Sequence, residues 1–241
     1  MTNQAGRSAR RQAARIRGTR PATTVRERAL VLAISVVACC TATGLIWPGY
    51  GLAGLLPGVV GAALFVSMRA GDLGSASDAA RRWEAGARGE EATERILRSL
   101  AAKGWTILHD RAIPGSAANL DHLAVGPAGQ VVLIDSKQWS GKNGAAVSRR
   151  GGRLVCGGYD RQKSVETLLW EAQRVQEELG VPVTAVMVVH GAKVAGGSLR
   201  AGSVHVVGPG GLVGAVASAP RGAEVAGVLA RRAQVSFPSY T

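Results

Sequence analysis

The sequence predicts an α/β domain, a mixed sheet flanked by helices, preceded by a two-helix transmembrane hairpin. Three observations carry that expectation. Two runs near the N-terminus, residues 29–47 and 52–68, contain no charged residue. Beyond them the hydrophobic period alternates between helical and extended, in the order helix, three strands, helix, strand, strand. The turns between these segments are marked by Gly and Pro, as in Gly126-Pro127-Ala128-Gly129 and Gly151-Gly152.

Composition bounds the possibilities. The chain has 241 residues, 19% of them charged and 46% hydrophobic, enough for one ordinary domain plus a membrane segment. The formal charge is +13, but residues 1–28 hold eight Arg and one Glu, so +7 comes from that stretch alone. The high pI therefore does not by itself indicate a nucleic-acid groove. Residues 1–28 lack a hydrophobic period and read as a basic, disordered cytoplasmic tail. Cys39 and Cys40 lie inside an apolar run and Cys156 is alone, which supports neither a disulfide framework nor a zinc site.

The two apolar runs, of 19 and 17 residues, approach the ~20 needed to cross a bilayer. Pro48-Gly49-Tyr50-Gly51 turns the chain between them. Arg20, Arg26 and Arg28 precede the first run, and Arg69, Arg81 and Arg82 follow the second. The positive-inside tendency then puts both termini and the following domain on the cytoplasmic side of the cell (inner) membrane. Two other readings remain, a cleaved leader and a buried soluble hairpin. The first lacks a small-x-small cleavage site. The second would need a polar helical face that neither run displays.

Residues 69–83 read as linker and helix start, with GDLGSASD (71–78) as the polar connection. Residues 79–102 form a helix in this reading. Strands follow at 105–109, 120–125 and 130–135, and a hairpin at 145–148 and 153–156. Residues 161–179 carry Val165, Leu168, Leu169, Ala172, Val175 and Leu179 at helical spacing, closed by Gly180 and Pro182. Residues 183–189 are an apolar strand suited to burial on both faces. A short strand at 204–207 and a last helix at 222–233 complete the pattern. The domain is expected over residues 84–207, with residues 208–241 as a C-terminal helical extension. Gly-rich stretches such as Gly208–Gly211 lack a following Lys-Ser/Thr, so no phosphate-binding Walker loop is present.

Four charged residues interrupt apolar segments. Glu90 falls on the inward face of its helix with Thr93, Leu97 and Leu100, whereas Glu91 falls with Arg95 and Arg98 on the solvated face. A carboxylate buried there is costly unless it finds a cation or hydrogen bonds. Asp121 interrupts an apolar strand. Asp135 and Lys137 share one face of the next strand, with Ser136 on the other. Each has a plain structural reading: a helix-end acceptor, a strand-edge acceptor, an ion pair. Together, three carboxylates and a lysine suit a divalent cation and a phosphodiester.

The ordered motifs Gly86-x-x-Gly89-Glu90, Asn119-x-Asp121-His122, Gly126-Pro127-x-Gly129 and Ile134-Asp135-Ser136-Lys137-Gln138-Trp139-Ser140-Gly141 resemble the nuclease-related domain (NERD) family. That family is regarded as a relative of the PD-(D/E)xK superfamily. The resemblance covers residues 84–180. It implies a restriction-endonuclease-like fold and a nuclease using Mg²⁺ or Mn²⁺. Glu90, Asp121 and Asp135 would be metal-binding, Lys137 catalytic with them, and His122 and Gln138 supporting or phosphate-contacting groups. Asp135 stands where Glu is common, so its arm is one methylene shorter.

The expected function is a membrane-anchored nuclease acting on DNA, or RNA as second choice. The alternative is a catalytically inactive module that binds nucleic acid or protein at the membrane, for which Lys142, Arg149, Arg150, Arg153, Arg161 and Lys163 supply cations.

Overall fold

The computed structural model describes residues 5–18, 33–35, 37–38, 41–42, 45, 49, 56–141 and 144–240, without side chains for most of 56–78. The chain divides into two compact units: residues 12–82 form one, and residues 1–11 with 83–241 form the other.

Helix α1 spans Arg7–Gly18 and α2 spans Leu56–Ala101. Both cross the boundary between the units. The tail expected to lack structure thus contains a helix. Its stripe of Ala5, Ala9 and Ala13, spaced four apart and all buried, was invisible to a reading that looked for large apolar side chains. The linker expected at 71–78 is likewise helical. Pro57 lies in the first turn of α2, where its missing N–H costs nothing, and the following glycines weaken a helix by about 1 kcal/mol each without breaking it. Residues 29–47 lie largely outside the described residues. The second apolar run continues into α2, and no helix among the described residues is long and apolar enough to cross a membrane. The described residues therefore do not support the transmembrane hairpin, and most of its first helix lies outside them.

The larger unit follows the expected alternation. Helix α2 ends at a left-handed Gly104, where the amide of Trp105 bonds back to the carbonyl of Leu100. Strands β1 (Thr106–Ala112), β2 (Asn119–Val125) and β3 (Val131–Gln138) form an antiparallel meander. A second, four-stranded sheet holds β4 (Ala146–Arg150), β5 (Arg153–Cys156), β6 (Tyr159–Asp160) and β8 (Lys193–Val194). Helix α3 (Gln162–Leu179) ends at left-handed Gly180 and leads into β7 (Thr184–His190), which pairs parallel with β3. Strands β9 (Ser198–Ala201) and β10 (Val204–Val207) finish the main sheet, in the order β1-β2-β3-β7-β10-β9. The sheet is mixed, because β3, β7 and β10 run parallel and the others antiparallel.

Helices cover both faces. On one, Leu123, Leu133, Met187 and Val206 pack under α3 and the last helix, α5 (Ala226–Ser236). On the other, Ala124, Val132, Ile134 and Val188 pack under Leu97 and Leu100 of α2 and under α4 (Leu212–Ala217). Residues 208–241 therefore belong to this unit and supply one covering helix to each face. Strands β6, β8 and β9 and helix α4, none longer than six residues, were not read from the sequence.

Candidate active site

The site grows from the period of two along β3. Leu133, Asp135 and Lys137 point to the α3 side, and Val132, Ile134 and Ser136 point to the α2 side. Strand β2 runs antiparallel with His122 opposite Ile134 and Leu123 opposite Leu133. One step further, Asp121 and Asp135 occupy adjoining places on the α3 side. Here the ladder gives out, and the Asp121 carboxylate accepts the Ser136 amide in its place (2.8 Å). Lys137 Nζ donates to Asp135 Oδ1 at 2.7 Å. The other Asp135 oxygen, Oδ2, is buried with no hydrogen-bond partner.

Glu90 lies on α2, one turn before Thr93, and is 7% exposed. Its Oε2 accepts the backbone N–H of Gly6 at 2.9 Å. Neighbouring contacts fix the same N-terminal segment. The amide of Ser8 donates to Asp110 at 2.9 Å, that of Ala5 donates to Glu94 at 3.2 Å, and Arg10 pairs with Glu91. Of the four residues singled out from the sequence, Asp121, Asp135 and Lys137 thus share one face. Glu90 comes from α2, accepts a backbone amide and is near enough to Asp121 and Asp135 for their charges to act on it.

A further carboxylate, on α3, went unnoticed in the sequence. Glu171 of α3 is 7% exposed, within the stripe Val165, Leu168, Ala172, Val175 and Leu179. The signal was available: position 171 is three past Leu168 and four before Val175.

Electrostatics reflect this crowding of acids. Burial, then Asp121 and Asp110, push the Glu90 carboxyl up to about 9. Burial, then Asp135, raise Asp121 to about 7, with Lys137 and the Ser136 amide opposing the shift. Burial, then Asp135 and Asp121, raise Glu171 to about 8. Burial pulls the Lys137 ammonium down, but Asp135 and Asp121 outweigh it and hold the group above its ordinary value. Lys137 is therefore a fixed cation.

Behind the strand, on the α2 side, polar side chains form a buried chain. His109 Nδ1 meets His122 Nδ1 (2.7 Å), and His122 Nε2 meets Ser136 Oγ (3.2 Å). Ser136 Oγ then donates to Thr93 Oγ1 (2.8 Å), which meets His190 Nε2 at 2.8 Å. His122 is fully buried there, so it backs the strand and does not reach a phosphate. His109 and His190 stand at the two ends of this chain. Gln138 is exposed at the end of β3, close to Gly89 and Gly191. Gly191, at φ +79°, lies where any Cβ would strike the Trp139 carbonyl, so glycine lets the chain after β7 close against the end of β3. Trp139 is buried under the guanidinium of Arg161, 5.1 Å from its ring centre. It is a packing residue. Arg149 and Arg150 are exposed, Arg153 pairs with Asp160 at 2.7 Å, and Lys142 lies outside the described residues.

The donors suit a hard cation. Among the described residues no three His, Cys, Asp or Glu side chains are gathered tightly enough to hold a metal ion by themselves. Two adjoining carboxylates with one unsatisfied buried oxygen fit a hard divalent cation that binds through one or two carboxylates and keeps several waters.

A mixed sheet between helices, with two aspartates and a lysine at the ends of its central antiparallel strands, defines a nuclease-like α/β module. Residues 85–190 match the family model of the nuclease-related domain, NERD, which bears out the resemblance carried by the motifs over that stretch. No curated protein and no solved structure matches the chain.

Proposed function

We propose that this unit is a nuclease that hydrolyses phosphodiester bonds of nucleic acid, with DNA as its principal substrate and Mg²⁺ or Mn²⁺ as its cation. The observation that carries the reading is the row Asp121, Asp135 and Lys137 on one face, with Asp135 Oδ2 buried and unpartnered. Asp121 and Asp135 would hold the cation, which lowers the pKa of a bound water and offsets charge on the phosphate. Lys137, fixed as an ammonium, donates to a phosphate oxygen or to the attacking water and stabilises the negative charge that develops. Ser136 couples the two sides of β3, because its amide holds Asp121 while its hydroxyl is anchored in the buried chain.

The test is cleavage of plasmid and single-stranded DNA by the full chain with Mg²⁺ or Mn²⁺. The reading expects cleavage that stops on chelation and in Lys137→Ala and Asp121→Asn. Cleavage unaffected by both substitutions would sink it.

The exposed Arg149 and Arg150 at the β4–β5 turn favour a second reading, a non-catalytic module that holds nucleic acid by its phosphates. It expects salt-dependent DNA binding that survives chelation, without cleavage. A two-pass attachment to the inner membrane, with both termini and this unit cytoplasmic, is supported by the charge-free runs at 29–47 and 52–68 and the arginines flanking them. Membrane fractionation with protease accessibility in spheroplasts tests it.

A further inference from the structure

We propose that Glu171 is a further catalytic residue of this site, the acceptor of the proton released by the attacking water. The proposal rests on the nuclease reading and adds a residue outside the motifs that led to it. Hydrolysis forms a bond between the water oxygen and phosphorus and breaks the bond to the leaving sugar oxygen. The water must lose a proton to a base, and the leaving oxygen gains one from solvent water.

A tally of the acids in and around the site selects the base. Lys137 is an ammonium held against Asp135 Oδ1 and has no lone pair to offer. Asp121 accepts the Ser136 amide. Asp110 accepts the Ser8 amide and the Asn119 side chain. Glu90 Oε2 accepts the Gly6 amide. Asp121 and Asp135 are also the groups that would bind the cation. Glu171 has neither commitment: no hydrogen bond or ion pair of its carboxylate is present among the described residues.

Its placement fits the task. Helix α3 lays an apolar stripe on the face that carries Asp121, Asp135 and Lys137, and Glu171 interrupts that stripe while remaining 7% exposed. The titratable groups that act on it are Asp135 and Lys137 from β3 and Asp121 from β2. A leucine at 171 would complete the stripe and avoid burying a carboxylate without a partner. A buried acid kept without a structural bond, on the helix that covers the face carrying Asp135 and Lys137, has the environment of a working group.

The experiment uses the full chain with Mn²⁺ and a labelled DNA duplex. Glu171→Gln preserves size and packing, and Glu171→Asp preserves the carboxylate on a shorter arm. For Glu171→Gln we expect kcat to fall about 10²- to 10⁴-fold with KM for DNA unchanged. The acid limb of the pH–rate profile should vanish. Glu171→Asp should keep that limb at a reduced rate. Calorimetric Mn²⁺ affinity and the cation-free melting temperature should not fall in Glu171→Gln. A Glu171→Gln protein with wild-type rate and an intact acid limb would overturn the proposal and leave the nuclease reading standing. So would a loss of Mn²⁺ affinity matching the loss of rate, which would make Glu171 a cation ligand. A wild-type chain that binds Mn²⁺ and cleaves nothing would overturn both.

Discussion

Asp121 and Asp135 adjoin across β2 and β3 on the α3 side, one step beyond the last backbone pair, His122 with Ile134. Two carboxylates so placed repel, and burial leaves little water to screen them. Asp121→Asn removes one charge and keeps an oxygen for the Ser136 amide. In chelator at pH 8 this variant should be more stable than wild type, by about 1 kcal/mol, the ordinary scale of single substitutions. The rise in melting temperature that Mg²⁺ or Mn²⁺ gives the wild type should be lost. Thermal melts with and without cation measure both effects.

Lys137 has the opposite role, because it supplies the only compensation that Asp135 Oδ1 receives among the described groups. Lys137→Met keeps the apolar stem and deletes the charge. Asp135 is then a nearly buried carboxylate facing Asp121 without a cation, and removal of one partner of a buried pair costs about 3–5 kcal/mol. The Lys137 side chain is 30% exposed, so water softens the loss to about 2 kcal/mol. Urea unfolding at pH 8 should show it. Asp135→Asn in the Lys137→Met background should recover most of the loss, since it removes the orphaned charge.

Much of this site was legible in the sequence alone. A period of two put Asp135 and Lys137 on one face and Ser136 on the other, and the backbone keeps that alternation. A period of 3.6 put Glu90 inward with Thr93, Leu97 and Leu100, all four of which are buried. Two things escaped. Periodicity assigns a side to each element but does not say which face of the sheet a helix will cover, so the arrival of Glu90 from α2, with its Oε2 on the Gly6 amide, could not be read in advance. Glu171 was hidden for a different reason: in a helix with five other charged residues (Lys163, Glu166, Arg174, Glu177 and Glu178) one more carboxylate attracts no notice until its angle on the wheel is checked. The N-terminal helix escaped because alanine registers weakly as a core residue.

Acid and alkaline limbs of stability should have different owners. Burial lowers the pKa of His109 and His122, so the folded form binds fewer protons than the unfolded chain. Their contribution is present above the unfolded value of about 6.5 and is lost as pH falls below it. Glu90, Asp121 and Glu171 are raised to about 9, 7 and 8. For them the folded form binds more protons, so stability declines as pH rises from about 4 towards 9. The cation-free chain should be most stable at mildly acidic pH, and a divalent cation should lift mainly the alkaline limb. Melting temperatures across pH 4–9, with chelator and with Mg²⁺, test the signs. A Mg²⁺-insensitive alkaline limb would contradict the assignment to the acids.

The buried chain from His109 to His190 should behave as one structural device. His122→Leu fills the space with an apolar group but removes the bonds that His109 Nδ1 and Ser136 Oγ make to His122, while Ser136 Oγ keeps its bond to Thr93. Each lost hydrogen bond is worth about 0.5–1.5 kcal/mol net. Ser136→Ala deletes the middle of the chain but keeps the amide that holds Asp121, so it should cost less. The two substitutions share partners, and their effects should not add in the double variant. A double-mutant cycle by urea unfolding gives the coupling directly, and additivity would show the chain to be a set of independent contacts.

Gly6 and Glu90 offer a separate handle on the N-terminal segment. Gly6 sits at φ +75°, and a Cβ there would lie 3.0 Å from the Ala87 carbonyl oxygen and 3.3 Å from the Ala87 side chain. Both the backbone conformation and the close approach require glycine. Gly6→Ala should therefore loosen the segment and weaken the bond from its amide to Glu90, at a cost of about 1 kcal/mol or more. Glu90→Gln keeps an acceptor for that amide and removes a buried charge, so it should leave the segment in place. Trypsin reads the difference, because Arg7, Arg10 and Arg11 lie within or next to the contact. Cleavage at these sites follows the population of the opened segment when opening is fast, so about 1.4 kcal/mol of weakening corresponds to a roughly tenfold faster cut. Gly6→Ala should be cut faster than wild type and Glu90→Gln should not.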